Sequence, residues 1–363
     1  MAKKIMLLPS VRSKFVKDDN MKLIFRSLLV LALFMIFANY YMYSFMYGIK
    51  LLFMVIIAIV VTRETEILFY SHDKELDREA SKELIKKSYP EITAILFALM
   101  IPIGTPLWLT ALGAVLATLL GKLIFGGFHH MVFHSSLVGV MFVTMGWRQL
   151  VSGVAFSPAF DNDLIKLIFD NKFFNETLSI GSKFNPLEYV TSLEILKGGL
   201  TAVEYNLLLE GVFTGLLPGI VGSGLVILGI FIVLVIKKAI NWILPTVFIA
   251  SFLVTAAIIA LSNGYEAMYP VFQLFSGSVL FVAVFILTDP ITTPVPDKGK
   301  IIFGVIAGAL TMIIRNGSAN EEGVIFAVMF MMMLTPMINA ELKKKTTPKK
   351  AIPKAVVPKE EGA

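Results

Sequence analysis

The chain has 363 residues, of which 56% are hydrophobic and 16% charged, with 29 Phe, 18 Met and no Cys. A soluble domain carries about 25% charged residues, so this composition makes lipid the main solvent and the chain an all-α polytopic membrane protein. The absence of Cys excludes disulfides, thiolate zinc sites and cysteine-ligated iron–sulfur clusters, and the net charge of +6 lies beside apolar segments rather than on a folded basic face, which excludes nucleic-acid binding.

Residues 1–26 form a basic stretch with Lys3, Lys4, Arg12, Lys14, Lys17, Lys22 and Arg26 against two acids. The apolar run after Ser27 lacks the short core and small-residue cleavage point of a signal peptide, so it reads as a retained first span to about Phe45. Further apolar runs at 49–62, 92–103, 107–125, 135–151, 219–236, 242–262, 271–288, 300–315 and 323–339 bring the candidate spans to ten. Several are shorter than the ~20 residues that cross a bilayer unaided. Splitting 92–125 at Pro102, Gly104 and Pro106 puts both the 63–90 loop, with six Lys or Arg, and the tail after 340, with seven Lys, on the cytoplasmic side.

The resulting frame has a first five-span set at 27–151, an external segment at 152–218, a second set at 219–340 and a Lys/Pro tail at 341–363. Glu75, Arg78, Glu79, Lys82 and Glu83 in the 63–90 loop are spaced as a charged surface helix. The external segment holds eight acids against four Lys and is too long for a plain connection. Leu137-Val-Gly-Val-Met-Phe-Val and Ile325-Phe-Ala-Val-Met-Phe-Met each follow a Gly-containing break and open the last span of a set. Five is odd, so two such repeats would be inverted in the bilayer.

The string that offers chemistry is Leu287-Thr-Asp-Pro-Ile-Thr-Thr-Pro. A carboxylate at a membrane helix end, beside Pro and three hydroxyls, provides oxygen ligands for a cation or for the polar edge of a cofactor. The same residues could simply satisfy backbone groups at a helix end, through Asp289 and Thr292. His129, His130 and His134 form a second cluster. On a helix, His130 and His134 would share a face, which suits a metal, haem or proton-relay role, although no carboxylate or thiol stands near them in the sequence; their other reading is interfacial residues at a cytoplasmic helix end. Arg315 and Glu321-Glu322 flank the last external turn and can pair with each other or with a partner subunit.

The Asp289 string resembles the Thr-Asp-Pro-(Val)-Thr-Ser-Pro motif of the family that contains the D subunit of Rnf ferredoxin:NAD oxidoreductases and the B subunit of sodium-pumping NADH:quinone oxidoreductases. Gly121-Lys-Leu-Ile-Phe-Gly-Gly, Gly299-Lys-Ile-Ile-Phe-Gly, Glu322-Gly-Val-Ile-Phe-Ala-Val and Leu334-Thr-Pro-Met-Ile are similar to the same family in the same order. The resemblance implies a membrane subunit of an ion-translocating electron-transport complex in the bacterial cytoplasmic membrane, with both termini cytoplasmic. Its expected partners are the other integral and peripheral subunits, lipid, and Na+ or H+. The implied cofactor is FMN, joined through phosphate to an external Thr, with riboflavin as a noncovalent companion. Such a chain carries out no catalysis alone.

The chain departs from the family at several places. Where the FMN attachment motif ends in Ser-(Gly or Ser)-Ala-Thr, this sequence reads Glu188-Tyr-Val-Thr-Ser-Leu-Glu. Thr191 is the nearest hydroxyl, but Leu193 stands where Ala is expected, and Thr191-Ser192 also suits a helix N-cap. Phe128-His-His-Met-Val-Phe-His-Ser-Ser replaces an Asn-Pro-(Phe)-Asn-Pro-Ala break. The candidate cofactor contacts are therefore Thr191, Asp289, Thr292 and Thr293, with no metal ligand assigned. Loss of the family's flavin-attachment motif and other polar groups leaves two rivals: a small-solute channel or secondary transporter of urea-channel-like inverted-repeat fold, and a flavin-free structural subunit.

Overall fold

The computed structural model describes residues 18–42, 45–73, 77–147, 224–265, 267, 269–275, 277–317 and 323–346. The external segment and Thr191 lie outside the described residues. Among the described residues every regular element is helical. The order is α1 (Asp18–Met42), α2 (Phe45–Asp73), α3 (Arg78–Ile85), α4 (Pro90–Met100), α5 (Leu107–Thr118), α6 (Ser135–Gly146), α7 (Gly224–Ile236), α8 (Ile243–Asn263), α9 (Tyr269–Phe275), α10 (Val279–Phe281), α11 (Asp297–Gly317) and α12 (Val324–Thr346). α5 and α10 each run on into a π-helical turn, at Leu119–Leu123 and Val282–Ile286.

Among the described residues three helices are long and apolar enough to cross a membrane: Asp18–Asn39, Ile243–Asn263 and Val324–Leu342. The bent pair α9–α10 passes the same test if it is one span, while α4, the α5 rod, α6 and α7 are apolar but shorter. The apolar run at 92–125 is broken between Met100 and Leu107. Pro90 occupies the first turn of α4, where a missing N–H costs nothing, and Pro106 precedes α5 with the extended backbone of a cap residue.

Small residues set the tight helix contacts, as expected where lipid removes the hydrophobic drive between helices. A Cβ on Gly308 of α11 would collide with the Phe248 carbonyl oxygen of α8, and one on Gly139 of α6 would lie 2.6 Å from the Ala117 Cβ of α5. α8 runs along α11 and α11 along α12, while α2 lies beside α4 and α5.

The cytoplasmic loop expected at 63–90 differs from its sequence reading. α2 continues through it to Asp73, so only Arg78–Ile85 is the separate charged helix. Asp77 caps α3 by accepting the Arg78 N–H, and Glu79–Lys82 and Glu83–Lys86 pair along its outer face at 2.6 and 2.5 Å. Its inner face buries Ile85 in a small cluster with Ile67, Tyr70 and Leu123, fastening α3 to α2 and to the π turn of α5.

Candidate functional site

The Asp289 string forms the turn between the π segment of α10 and the start of α11. Asp289 Oδ1 accepts the Ile291 N–H at 3.1 Å, and Oδ2 accepts the Thr292 N–H at 3.3 Å and the Thr292 hydroxyl at 2.8 Å. The Thr293 hydroxyl donates to the Asp289 carbonyl at 2.5 Å. Thr292 and Thr293 are buried. The turn is held from outside by Asn339 of α12, whose Oδ1 accepts the Val295 N–H, and by Gly299, whose hydrogen faces Pro294, Ile338 and Leu342. Asp289, Thr292 and Thr293 are thus brought together, with every hydroxyl proton and both loop N–H groups turned inward. The remaining capacity of these side chains is acceptor lone pairs. That set fits a cation or an N–H donor such as the edge of a flavin ring, and it does not fit a phosphate.

A second polar cluster forms at the α5–α6 junction. Gly121 lies against Ser135, where a Cβ would come 2.5 Å from the Ser135 Cα, so only glycine lets the first turn of α6 close on the π turn. Gly126 and Gly127 have φ of +99° and +98°, and a Cβ on Gly127 would lie 2.8 Å from the Tyr70 hydroxyl. This turn delivers Lys122 inward. Lys122 Nζ donates to Glu66 Oε1 of α2 and to the Ser88 carbonyl, each at 2.6 Å, and faces the Phe128 ring at 5.3 Å. Glu66 and Lys122 are both sealed from solvent, and Glu66 Oε2 has no hydrogen-bond partner.

The histidines do not share a helix face. Phe128–His130 is a short 3-10 turn and residues 131–134 are irregular, so the spacing of four has no helical meaning here. His130 is exposed and His129 half-buried, whereas His134 is buried just ahead of α6 with Nδ1 2.7 Å from the Ser136 hydroxyl. Asp289 and Lys122 both act on His134 electrostatically; burial holds its imidazole below the ordinary histidine value, with Asp289 opposing and Lys122 reinforcing that effect. Among the described residues no group of three His, Asp or Glu could hold a metal ion. The carboxylate whose charge His134 feels is that of Asp289, 155 positions along the chain, which local sequence reading cannot see.

Lys50, Lys122 and Arg315 are buried cations, and the sequence reading gives a partner only to Arg315. Lys122 sits within the apolar run of α5, and a charge there was the signal for a buried partner. Arg315 of α11 donates to the Gln273 carbonyl at 2.7 Å and to Gln273 Oε1 at 3.2 Å, and lies over the Phe252 ring at 5.6 Å. Glu321 and Glu322, its expected neighbours, lie outside the described residues.

Comparison with known proteins finds the same family. The NQR2, RnfD, RnfE family matches residues 12–347. A protein of Actinobacillus succinogenes, named as the D subunit of the ion-translocating oxidoreductase complex, is 32% identical over 270 residues, covering 68% of this chain and 74% of its own length. Proteins of the same name from Erwinia tasmaniensis (28% identical, 73% of this chain, 78% of the relative) and Mannheimia succiniciproducens (28%, 86% and 89%) are similar over longer stretches. The chain belongs to the NQR2, RnfD, RnfE family.

Proposed function

We propose that this chain is the D-type membrane subunit of an Rnf-type ion-translocating electron-transport complex, residing in the bacterial cytoplasmic membrane with both termini inside. The match over residues 12–347, together with the name shared by its relatives, carries this reading. The subunit couples flavin-mediated electron transfer to movement of Na+ or H+, while other subunits handle the electron donor. Asp289, Thr292 and Thr293 form the contact for the coupling cation or for the N–H edge of a flavin. A flavin held by this chain is held without a bond to Thr191, because the attachment sequence is incomplete.

Two inverted five-helix repeats are part of the proposal, and three correspondences support them. Pro102-Ile-Gly-Thr-Pro106 and Pro290-Ile-Thr-Thr-Pro294 occupy the same place in the two halves, each in the break between the third and fourth apolar runs of its set. Lys122, at the end of α5, donates to a carbonyl just ahead of α4; Arg315, near the end of α11, donates to a carbonyl of α9. Each cation also lies over a Phe ring.

The test is purification of the chain with its companions from its own host. The expected result is a stable multi-subunit complex in which this chain shows no flavin fluorescence on a denaturing gel and no flavin mass increment. A chain that purifies alone and moves a neutral solute in liposomes would replace this reading with the channel.

A further inference from the structure

The turn between α7 and α8 has a lysine where a chain normally places a glycine. α7 ends in two closing bonds: the Ala239 N–H reaches back to the Leu234 carbonyl and the Lys238 N–H to the Val235 carbonyl, each at 2.9 Å. Such an ending puts the residue past its cap in the left-handed conformation, usually as glycine, and here Lys238 takes it with φ of +55°. An L side chain is strained there, so the position points to a use for the side chain. Lys237 and Lys238 are exposed, and apolar surface begins on either side of them: Ile236 is 71% exposed at the end of α7 and Trp242 57% exposed ahead of α8. Further along α8, Val254, Ile258 and Leu261 are exposed too. A helix with such an outer face stands in acyl chains, and a Trp beside two lysines marks the depth at which headgroups begin.

Two other elements bring lysines to the same end of the bundle. α8 and α11 run in the same direction, since Gly304 packs on Val247 and Gly308 on Phe248 and Ser251, so their first turns lie side by side. The first turn of α11 carries Lys298, which is exposed, and Lys300, which is held by Asp297 at 2.7 Å. α12 runs the opposite way: Gly299 meets Ile338 and Leu342, and the helix then continues through Lys343, Lys344 and Lys345 beyond Glu341. Positive charge gathered from three elements and set against an exposed Trp fits a phosphodiester anchored in a bilayer better than a soluble anion, because the acyl chains of such a ligand continue over the apolar faces of α7 and α8. We propose that Lys237, Lys238 and Lys298, with Trp242, bind the headgroup of an anionic phospholipid at this end of the bundle. In the proposed orientation this is the cytoplasmic leaflet, whose anionic lipids attract such charges. The inference is independent of the coupling ion and of any flavin, and needs only that the chain spans a membrane.

The experiment titrates phosphatidylglycerol into the chain purified from its host with its companions in neutral detergent, and reads the rise in thermal unfolding temperature. Phosphatidylcholine and inorganic phosphate form separate arms. Phosphatidylglycerol should stabilise, and neither of the other two should. Lys238→Gly removes the charge and relaxes the left-handed turn, so without added lipid it should unfold no earlier than the wild type and yet need about fivefold more phosphatidylglycerol. Lys237→Gln and Lys298→Gln should each raise the half-saturating concentration by a similar factor, and the three changes together by at least about tenfold. Lys86→Gln, on the exposed face of α3, should leave the titration unchanged. A wild type without a phosphatidylglycerol response, a triple variant that keeps the wild-type titration, or a Lys86→Gln variant shifted as far as Lys238→Gly would each overturn the site. Equal stabilisation by inorganic phosphate would make it a plain anion site and also overturn the proposal. Loss of a companion subunit from the triple variant, with its lipid titration unchanged, would assign the surface to an acidic protein partner instead.

Discussion

Lys122 Nζ and Glu66 Oε1 lie 2.6 Å apart with neither side chain open to solvent, although 56 positions separate them. The pair ties the end of α5 to the last third of α2, and the Ser88 carbonyl bound by the same ammonium adds the turn ahead of α4. Three elements therefore meet at one nitrogen.

Removing one partner of this pair leaves the other charged and buried. Glu66→Ala or Lys122→Met alone should cost about 3–5 kcal/mol, whereas Glu66→Leu combined with Lys122→Met should recover most of that loss. Thermal unfolding of the detergent-solubilised complex compares the three variants; a double variant as unstable as either single one would show that the charges themselves are needed.

Gly121→Ala forces a Cβ to within 2.5 Å of backbone at Ser135 and should cost about 1–3 kcal/mol. Gly229, in α7, has nothing within 4 Å of a built Cβ, so Gly229→Ala should be neutral or stabilise by up to about 1 kcal/mol through helix propensity. Expression level and unfolding temperature of the two variants, measured side by side, check the contrast.

Asp289→Ala frees the Ile291 and Thr292 N–H groups and should cost about 1–3 kcal/mol. Asp289→Asn keeps an acceptor oxygen in the turn while deleting the charge, so assembly should persist and redox-driven ion movement should fall. Tracer uptake into proteoliposomes, normalised to co-purified subunits, separates the two effects.

The Tyr89 hydroxyl donates to Asp18 at 2.5 Å, joining the starts of α4 and α1. Burial, and then the Asp18 hydrogen bond and charge, raise the Tyr89 phenol well above its ordinary value. Because the folded value is the higher one, this contact contributes fully below the ordinary phenol value of about 10 and is lost as pH rises through the raised value. The difference in tyrosinate absorbance between wild type and Tyr89→Phe should titrate above about pH 10.

Glu79, on the exposed face of α3, is shifted in the opposite direction: its hydrogen bond to Lys82, then the Lys82 charge, lower its carboxyl. The contribution of that pair is present above the ordinary carboxylate value and disappears as pH falls through the lowered one. Protection of the α3 amides, taken relative to intrinsic exchange at each pH, should fall in acid in the wild type and much less in Glu79→Gln.

The helix break at Pro102, Gly104 and Pro106 was legible in the sequence because Pro removes a donor and restricts its neighbour wherever it occurs. The end of α2 was not. Arg63, Glu64 and Glu66 read locally as the start of a wet loop, and only Lys122 from a distant helix makes burial of Glu66 tolerable. The histidine spacing misled for a related reason: the Gly126-Gly127 turn and the close contact of Gly121 with Ser135 delay the next helix until after His134. Asp289 and its threonines were visible as a string, but their inward hydrogen bonding depends on Asn339 and Gly299 holding the turn shut.

The two π-helical turns stand just ahead of the α5–α6 junction and of the Asp289 turn. Such a turn contains one surplus residue, and moving that surplus by a single step re-aims the residue it passes by about 100° while the ladder on either side stays intact. Lys122 rides on one of these coils and the turn that carries Asp289 follows the other, so each half owns a place where slack is already wound in beside its charge.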